Sequence, residues 1–129
     1  MDSRLRVVII GGSDTSRQLI TDFLSRPFVH LVAVVDLSEA SPGAQAARGA
    51  GVQFMTDILH LADLTPRPDL VIDVCGRPHV QPALEETFPE YMQDRPIIVH
   101  DTVARLILSL AADSLTLAPA CPPKEPIPA

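Results

Sequence analysis

At 129 residues the chain is about one domain long, and 47% hydrophobic with 20% charged residues give it a core to bury. A net charge of −6, 4% aromatic residues and no Trp argue against a nucleic-acid surface or a stacking platform for single strands. Cys75 and Cys121 are too few for a disulfide scaffold and fit a reducing compartment, and no apolar run reaches the roughly 18–20 residues of a membrane span. Met1 to Arg4 lack a signal-peptide layout, so the expectation is a cytoplasmic protein that meets neither membrane nor nucleic acid.

Leu5 to Gly11 is a continuous β-branched run, the pattern of a strand covered on both faces of a parallel sheet. Residues 14–26 carry Leu19, Ile20, Phe23 and Leu24 at helical spacing and stop before Pro27. His30 to Asp36 predicts a second buried strand, and Pro42 to Ala50 a short Ala-rich helix closed by Gly51. Val52 to Met55 predicts a third strand, Asp57 to Asp63 a short helix with Thr56 as N-cap, and Asp69 to Val74 a fourth strand. From His79 to Met92 the chain is helical in part, with Pro82 in the first turn and Pro89 shortening or kinking the helix. Pro96 to His100 predicts the fifth strand, after which Asp101 or Thr102 caps an apolar helix through Ala112. Five of the 13 prolines lie between Pro119 and Pro128, so residues 117–129 read as an extended tail or linker and 1–116 as the domain.

Five strand–helix alternations imply a doubly wound α/β fold with a five-stranded parallel sheet. The Rossmann-like strand order 3-2-1-4-5 is expected, with the flavodoxin-like order 2-1-3-4-5 as its rival. Either way, ligands bind beyond the carboxyl ends of the strands at the switch point. That rule singles out the first turn, Gly11-Gly12-Ser13-Asp14-Thr15-Ser16, where small residues admit a phosphate to helix N-terminal amides. Against the dinucleotide fingerprint G-x-G-x-x-G, Gly11 matches, while Ser13 and Ser16 replace the second and third glycines and Asp14 adds a charge that repels phosphate. Asp36 follows Gly11 by 25 residues at the end of the second strand. A carboxylate there accepts hydrogen bonds from both hydroxyls of an adenosine ribose and repels a 2′-phosphate, which favours NAD over NADP. The plain alternative is a capped strand-to-helix turn followed by a loop acid.

The runs Val7 to Gly11, Leu31 to Asp36, and Gly51-Val52 with Thr56-Asp57 resemble the NAD-binding domain of the glucose–fructose oxidoreductase and inositol dehydrogenase superfamily. Homoserine and aspartate dehydrogenases have similar N-terminal halves. The resemblance covers residues 5–112, and it implies that Cys75, Gly76 and Arg77, in the loop after the fourth strand, lie beside the nicotinamide. A similar module opens some bacterial sensor kinases and regulators, whose fourth strand carries a like Asp-Val-x-Gly-x-Pro segment. Two departures stand out. Those dehydrogenases hold their substrate on a second large-sheet domain, whereas here a proline-rich tail follows residue 116. They also place a Lys-Pro pair after the fifth strand, where this chain reads Val99-His100-Asp101-Thr102, without the lysine that moves the proton.

Other groups carry weaker signals. Cys75 at a strand end reads as a buried small hydrophobe or a redox-sensitive thiol. Cys75, His79 and His100 share one rim, but neither C-x-x-C nor H-x-x-x-H spacing supports a metal, and no elbow motif supports a nucleophile. The helix of residues 103–115 is apolar nearly all round, which implies cover by a second copy or a partner domain. The expected function is NAD(H) binding by a regulatory or sensory domain with no catalytic residues of its own. Its rivals are a cofactor component of an oxidoreductase, an interaction scaffold whose nucleotide site has decayed, and a domain that takes NADP or CoA.

Overall fold

Successive strand residues face opposite ways, and in the first strand both sets are apolar. Val7 and Ile9 therefore enter one core while Val8 and Ile10 enter another, which is possible only in a sheet covered on both faces. The computed structural model describes residues 3–74 and 77–113 and shows that arrangement. Strands β1 (Leu5–Ile10), β2 (Val29–Val35), β3 (Gln53–Met55), β4 (Leu70–Asp73) and β5 (Ile97–Val99) form one parallel sheet in the order β3-β2-β1-β4-β5. The flavodoxin-like order is excluded.

Helices α1 (Asp14–Leu24), α2 (Pro42–Gly49) and α4 (Asp101–Ala111) supply the first face, with Leu19, Ile20, Ala47, Ala104 and Leu108 buried on Val7, Ile9 and Ile72. The second face is closed by a 3-10 helix (Ile58–Asp63) and by α3 (Val80–Thr87), through Ile58, Leu61, Val80, Leu84 and Phe88. One irregularity interrupts the β1–β2 ladder: Val7 pairs with Leu31 and Val8 with Ala33, so Val32 is an extra residue in β2. The chain direction places the ends of β1, β2 and β4 on one edge, with α1 and α2 starting there.

Several boundaries differ from the sequence expectation for local reasons. The residues after β3 form a 3-10 helix whose cap is Asp57, its carboxylate accepting from the Leu59 N–H at 3.0 Å, and not Thr56. The cap position of α4 falls on His100, which makes no side-chain cap bond, rather than on Asp101 or Thr102. Helix α3 ends at Thr87, where Phe88 turns fully into the core one residue before Pro89. Gly51 takes a left-handed φ of 74° one residue past the α2 cap Ala50, closing that helix as expected. On α4, Val103, Leu106 and Leu110 are exposed while Ala104 and Leu108 are buried, so the described residues cover one side of this apolar helix. Among the described residues no helix is long and apolar enough to cross a membrane. Cys75, Gly76 and the tail of residues 117–129 lie outside the described residues.

Candidate functional site

The turn after β1 begins with Gly11 at φ 126°, a conformation that a side chain makes costly by about 1–3 kcal/mol. Its N–H donates to the Val35 carbonyl at 2.7 Å, so the first turn is tied to the end of β2. Gly12 follows, and two polar side chains close over it. A Cβ at Gly12 would lie 2.5 Å from Asp36 Oδ2 and 2.3 Å from Ser41 Oγ. Asp36 is half-buried; its own N–H donates to the Met55 carbonyl at 3.1 Å and its Oδ2 accepts from the Ser38 N–H at 3.4 Å. The acid is thus fixed to the ends of both β2 and β3, with its carboxylate turned toward the first turn.

Helix α2 meets the same point. Ser41 is its N-cap, accepting from the Ala44 N–H at 3.1 Å, and Pro42 takes the first helical position, where no N–H is needed. Gly43 donates its N–H to the Gly12 carbonyl at 2.9 Å, and a Cβ on Gly43 would lie 2.8 Å from Gly12 Cα. Only two glycines face to face permit this contact. No motif marks Ser41 or Gly43 as site residues: Ser-Pro is a helix-start signal, but nothing local shows where that helix start docks. Asp73, a buried carboxylate (5% exposed) at the carboxyl end of β4, paired with Ile10, is likewise carried by no motif.

The two serines that replace fingerprint glycines have a use of their own. Ser13 is the N-cap of α1: its Oγ accepts from the Ser16 N–H at 3.3 Å and lies 3.3 Å from Ser16 Oγ, which is buried. One of the amides that a phosphate would otherwise meet is therefore already satisfied. Asp14, in the first helical turn, complements the helix dipole and lies 3.6 Å from Arg17 on the surface. Thr15 is in the same turn of α1; its side chain lies outside the described residues.

Arg77 is exposed on the loop into α3. His79, two residues on, reaches the rim of Asp36. Together with Ile10, Val35, Leu37, Thr56, Ile58 and Val80 they enclose a cavity of about 20 Å³. That is room for about one water molecule. A cavity of that size does not hold an adenine ring; Leu37 and His79, both exposed, are among the residues that line it. Larger cavities lie elsewhere, one of about 610 Å³ along β3 beside Glu39, Phe54 and His60, and one at the far end of the sheet. Among the described residues no three His, Cys, Asp or Glu side chains converge to hold a metal ion.

These residues fit a dinucleotide unevenly. At the ribose end a carboxylate of the expected kind stands over Gly12, and Asp36 Oδ2 and Ser41 Oγ take the space that a side chain there would need. At the phosphate end the fit is poorer, because Ser13 and Asp14 occupy the helix start.

No protein family and no curated protein matches the chain by sequence. Solved structures match it by fold. GenD2 from gentamicin A biosynthesis, in complex with NAD, is 20% identical with a TM-score of 0.59, covering 86% of this chain and 32% of that one. Myo-inositol 2-dehydrogenase from Lactobacillus plantarum is 18% identical with a TM-score of 0.56, covering 85% and 33%. Scyllo-inositol dehydrogenase from Lactobacillus casei, with bound NAD(H) and scyllo-inositol, is 15% identical with a TM-score of 0.57, covering 86% and 34%. The chain spans about a third of the length of each. The fold is the Rossmann-like one expected from the resemblance to the inositol dehydrogenase superfamily.

Proposed function

We propose that this domain binds a nicotinamide adenine dinucleotide across the carboxyl ends of β1 and β2, favours NAD(H) over NADP(H), and acts as a cytoplasmic regulatory or sensory module. The observation that carries the reading is the Asp36 carboxylate held over Gly12. Its oxygens accept hydrogen bonds from the ribose hydroxyls, and its charge opposes a 2′-phosphate. In this reading Gly11, Gly12, Ser13, Asp14 and Thr15 form the turn that takes the pyrophosphate, and the sequence resemblance assigns Cys75, Gly76 and Arg77 to the nicotinamide. The NAD and NAD(H) carried by two of the solved structures of like fold support the same ligand class.

When bound, the dinucleotide supplies a hydride acceptor or donor. Proton transfer needs a group from the protein; the lysine that the resemblance implies is replaced in residues 99–102 by Val-His-Asp-Thr, where only His100 and Asp101 could move a proton. The read-out proposed is through a second copy or partner domain on the exposed Val103, Leu106 and Leu110 of α4, with residues 117–129 as linker. Leu110→Glu is expected to abolish self-association in light scattering; a monomer at all concentrations before mutation counts against the dimer.

A specific observation favours a second reading. The Ser13–Ser16 cap and the 20 Å³ cavity suit a Rossmann scaffold that has given up its nucleotide. Calorimetric titration with NAD+, NADH, NADP+, NADPH and CoA separates the two. The proposal expects saturable binding with a micromolar constant, about −8 kcal/mol, strongest for an NAD form. Absence of heat with all five at millimolar ligand supports the scaffold, and preferential CoA binding overturns the dinucleotide.

A further inference from the structure

At the opposite end of the sheet, where β1, β4 and β5 begin, an open groove of about 670 Å³ is lined by Arg6, Arg67, Asp69, Asp94, Arg95 and Ile97. Three of the chain's nine arginines share this one space, in a protein of net charge −6. They are not equivalent. Arg6 is neutralised by Asp69, with Nε and Nη2 on the carboxylate at 3.2 and 3.1 Å. Arg67 and Arg95 have no carboxylate within 4 Å among the described residues. Arg17, Arg26 and Arg48 elsewhere on the surface each have one.

Both guanidiniums are nevertheless anchored. Arg67 Nη1 donates to the Gln93 carbonyl at 3.1 Å, and Arg95 Nε donates to the Phe88 carbonyl at 2.6 Å. Each is thereby held to the segment between α3 and β5 by one of its five N–H groups, leaving the rest of a planar fork available. Anchoring of this kind lowers the side-chain entropy lost when a ligand is gripped. The groove also has a volume within the roughly 300–1,000 Å³ of small-molecule sites.

We propose that this groove is a second ligand site, independent of the first turn, and that it binds a small anionic metabolite whose phosphate or carboxylate group is held by Arg67 and Arg95. A group with two negative charges is favoured, because Asp94 on the rim cancels part of the positive charge and a monoanion gains little. The site works whether or not a dinucleotide binds at the other end of the sheet.

Isotope-edited NMR titration with inorganic phosphate and with citrate, at constant ionic strength set by chloride, tests this directly. Saturable shifts at residues 67, 94 and 95 are expected, with phosphate or citrate affinity falling about tenfold in Arg67→Gln and further in the Arg67→Gln/Arg95→Gln double variant. Arg67 is exposed, so its single substitution keeps the test valid if loss of the Arg95 anchor unfolds the loop. Arg17→Gln, on the far surface, is expected to bind normally. Three results overturn the proposal: linear, non-saturating shifts, affinity unchanged in Arg67→Gln, or shifts confined to residues 11–16.

Discussion

The contact between the first turn and α2 gives the most demanding test of the geometry. Gly12→Ala puts a methyl where Ser41 Oγ and Asp36 Oδ2 now lie, at 2.3 and 2.5 Å. Both obstacles are side-chain atoms and can rotate, but Ser41 leaves only by giving up its cap bond to Ala44, worth about 1 kcal/mol. The expected cost is about 1–2 kcal/mol, within the usual range for overpacking. Gly43→Ala is worse, because its methyl meets backbone, with Gly12 Cα at 2.8 Å, C at 3.2 Å and O at 3.3 Å. Helix α2 must then lift away and lose the Gly43 N–H to Gly12 carbonyl bond, a cost of about 3 kcal/mol or more. Gly49→Ala has nothing within 4 Å and lies in the last turn of the same helix, so it is expected to stabilise by about 0.5 kcal/mol.

Denaturant unfolding at constant m-value ranks the three, and thermal midpoints should move by about 4 °C per kcal/mol. Ser41→Ala removes the obstacle as well as the cap. The Gly12→Ala/Ser41→Ala pair should therefore be less damaging than the sum of its parts, with a coupling of about 1 kcal/mol. A Gly43→Ala protein within about 0.5 kcal/mol of the parent, or additive Gly12 and Ser41 variants, would refute this packing.

The other expectations concern the cap, the acid limb and the backbone of the turn. Ser13→Gly restores a fingerprint glycine and frees the Ser16 amide; it should cost a few tenths of a kcal/mol and tighten dinucleotide binding, measured by titration, whereas weaker binding would show that the hydroxyl serves the ligand. Hydrogen bonds from the Arg6 side chain, then its backbone N–H, hold Asp69 below its ordinary value of 3.8. The folded state thus holds the carboxylate charged where the unfolded chain takes up a proton, so the stabilisation is complete above about pH 4 and is lost as pH falls through the lowered value. With Asp69 39% exposed, solvent screens the pair to about 0.5 kcal/mol, and Asp69→Asn should flatten the acid limb of a stability–pH curve by that amount; an unchanged limb counts against the pair. Gly11→Ala, at φ 126°, should cost about 1–3 kcal/mol before any ligand is added; an unaltered midpoint would contradict that backbone conformation.

Much of the fold was legible because its signals are periodic. Val7 to Ile10, Leu31 to Val35 and Leu70 to Ile72 are apolar on consecutive residues, which only a doubly covered sheet explains. Right-handed crossovers then limit the strand order to a few choices. Element ends were harder, since Asp57 rather than Thr56 caps the 3-10 helix and the α4 cap position falls on His100, which makes no side-chain cap bond, although Asp101 and Thr102 follow it. In the candidate site, Gly11 and Asp36 were visible from spacing. Ser41 and Gly43 were not, because what matters about them is a contact with Gly12 across some 30 residues of chain. The serines at 13 and 16 looked like damaged glycines by motif, yet they form a hydrogen-bonded helix cap. The arginines of the second groove are scattered over positions 6, 67 and 95, and only the parallel sheet brings them together.

The central claim is that Asp36 reads the ribose of an adenine dinucleotide. Calorimetric titration of the parent and of Asp36→Ala with NAD+ and NADP+, side by side, tests it most directly. The account expects micromolar NAD+ binding by the parent with at least about tenfold discrimination against NADP+, and in Asp36→Ala a weaker NAD+ constant with the discrimination gone. Equal affinity of both proteins for both dinucleotides, or no binding by the parent, would contradict it.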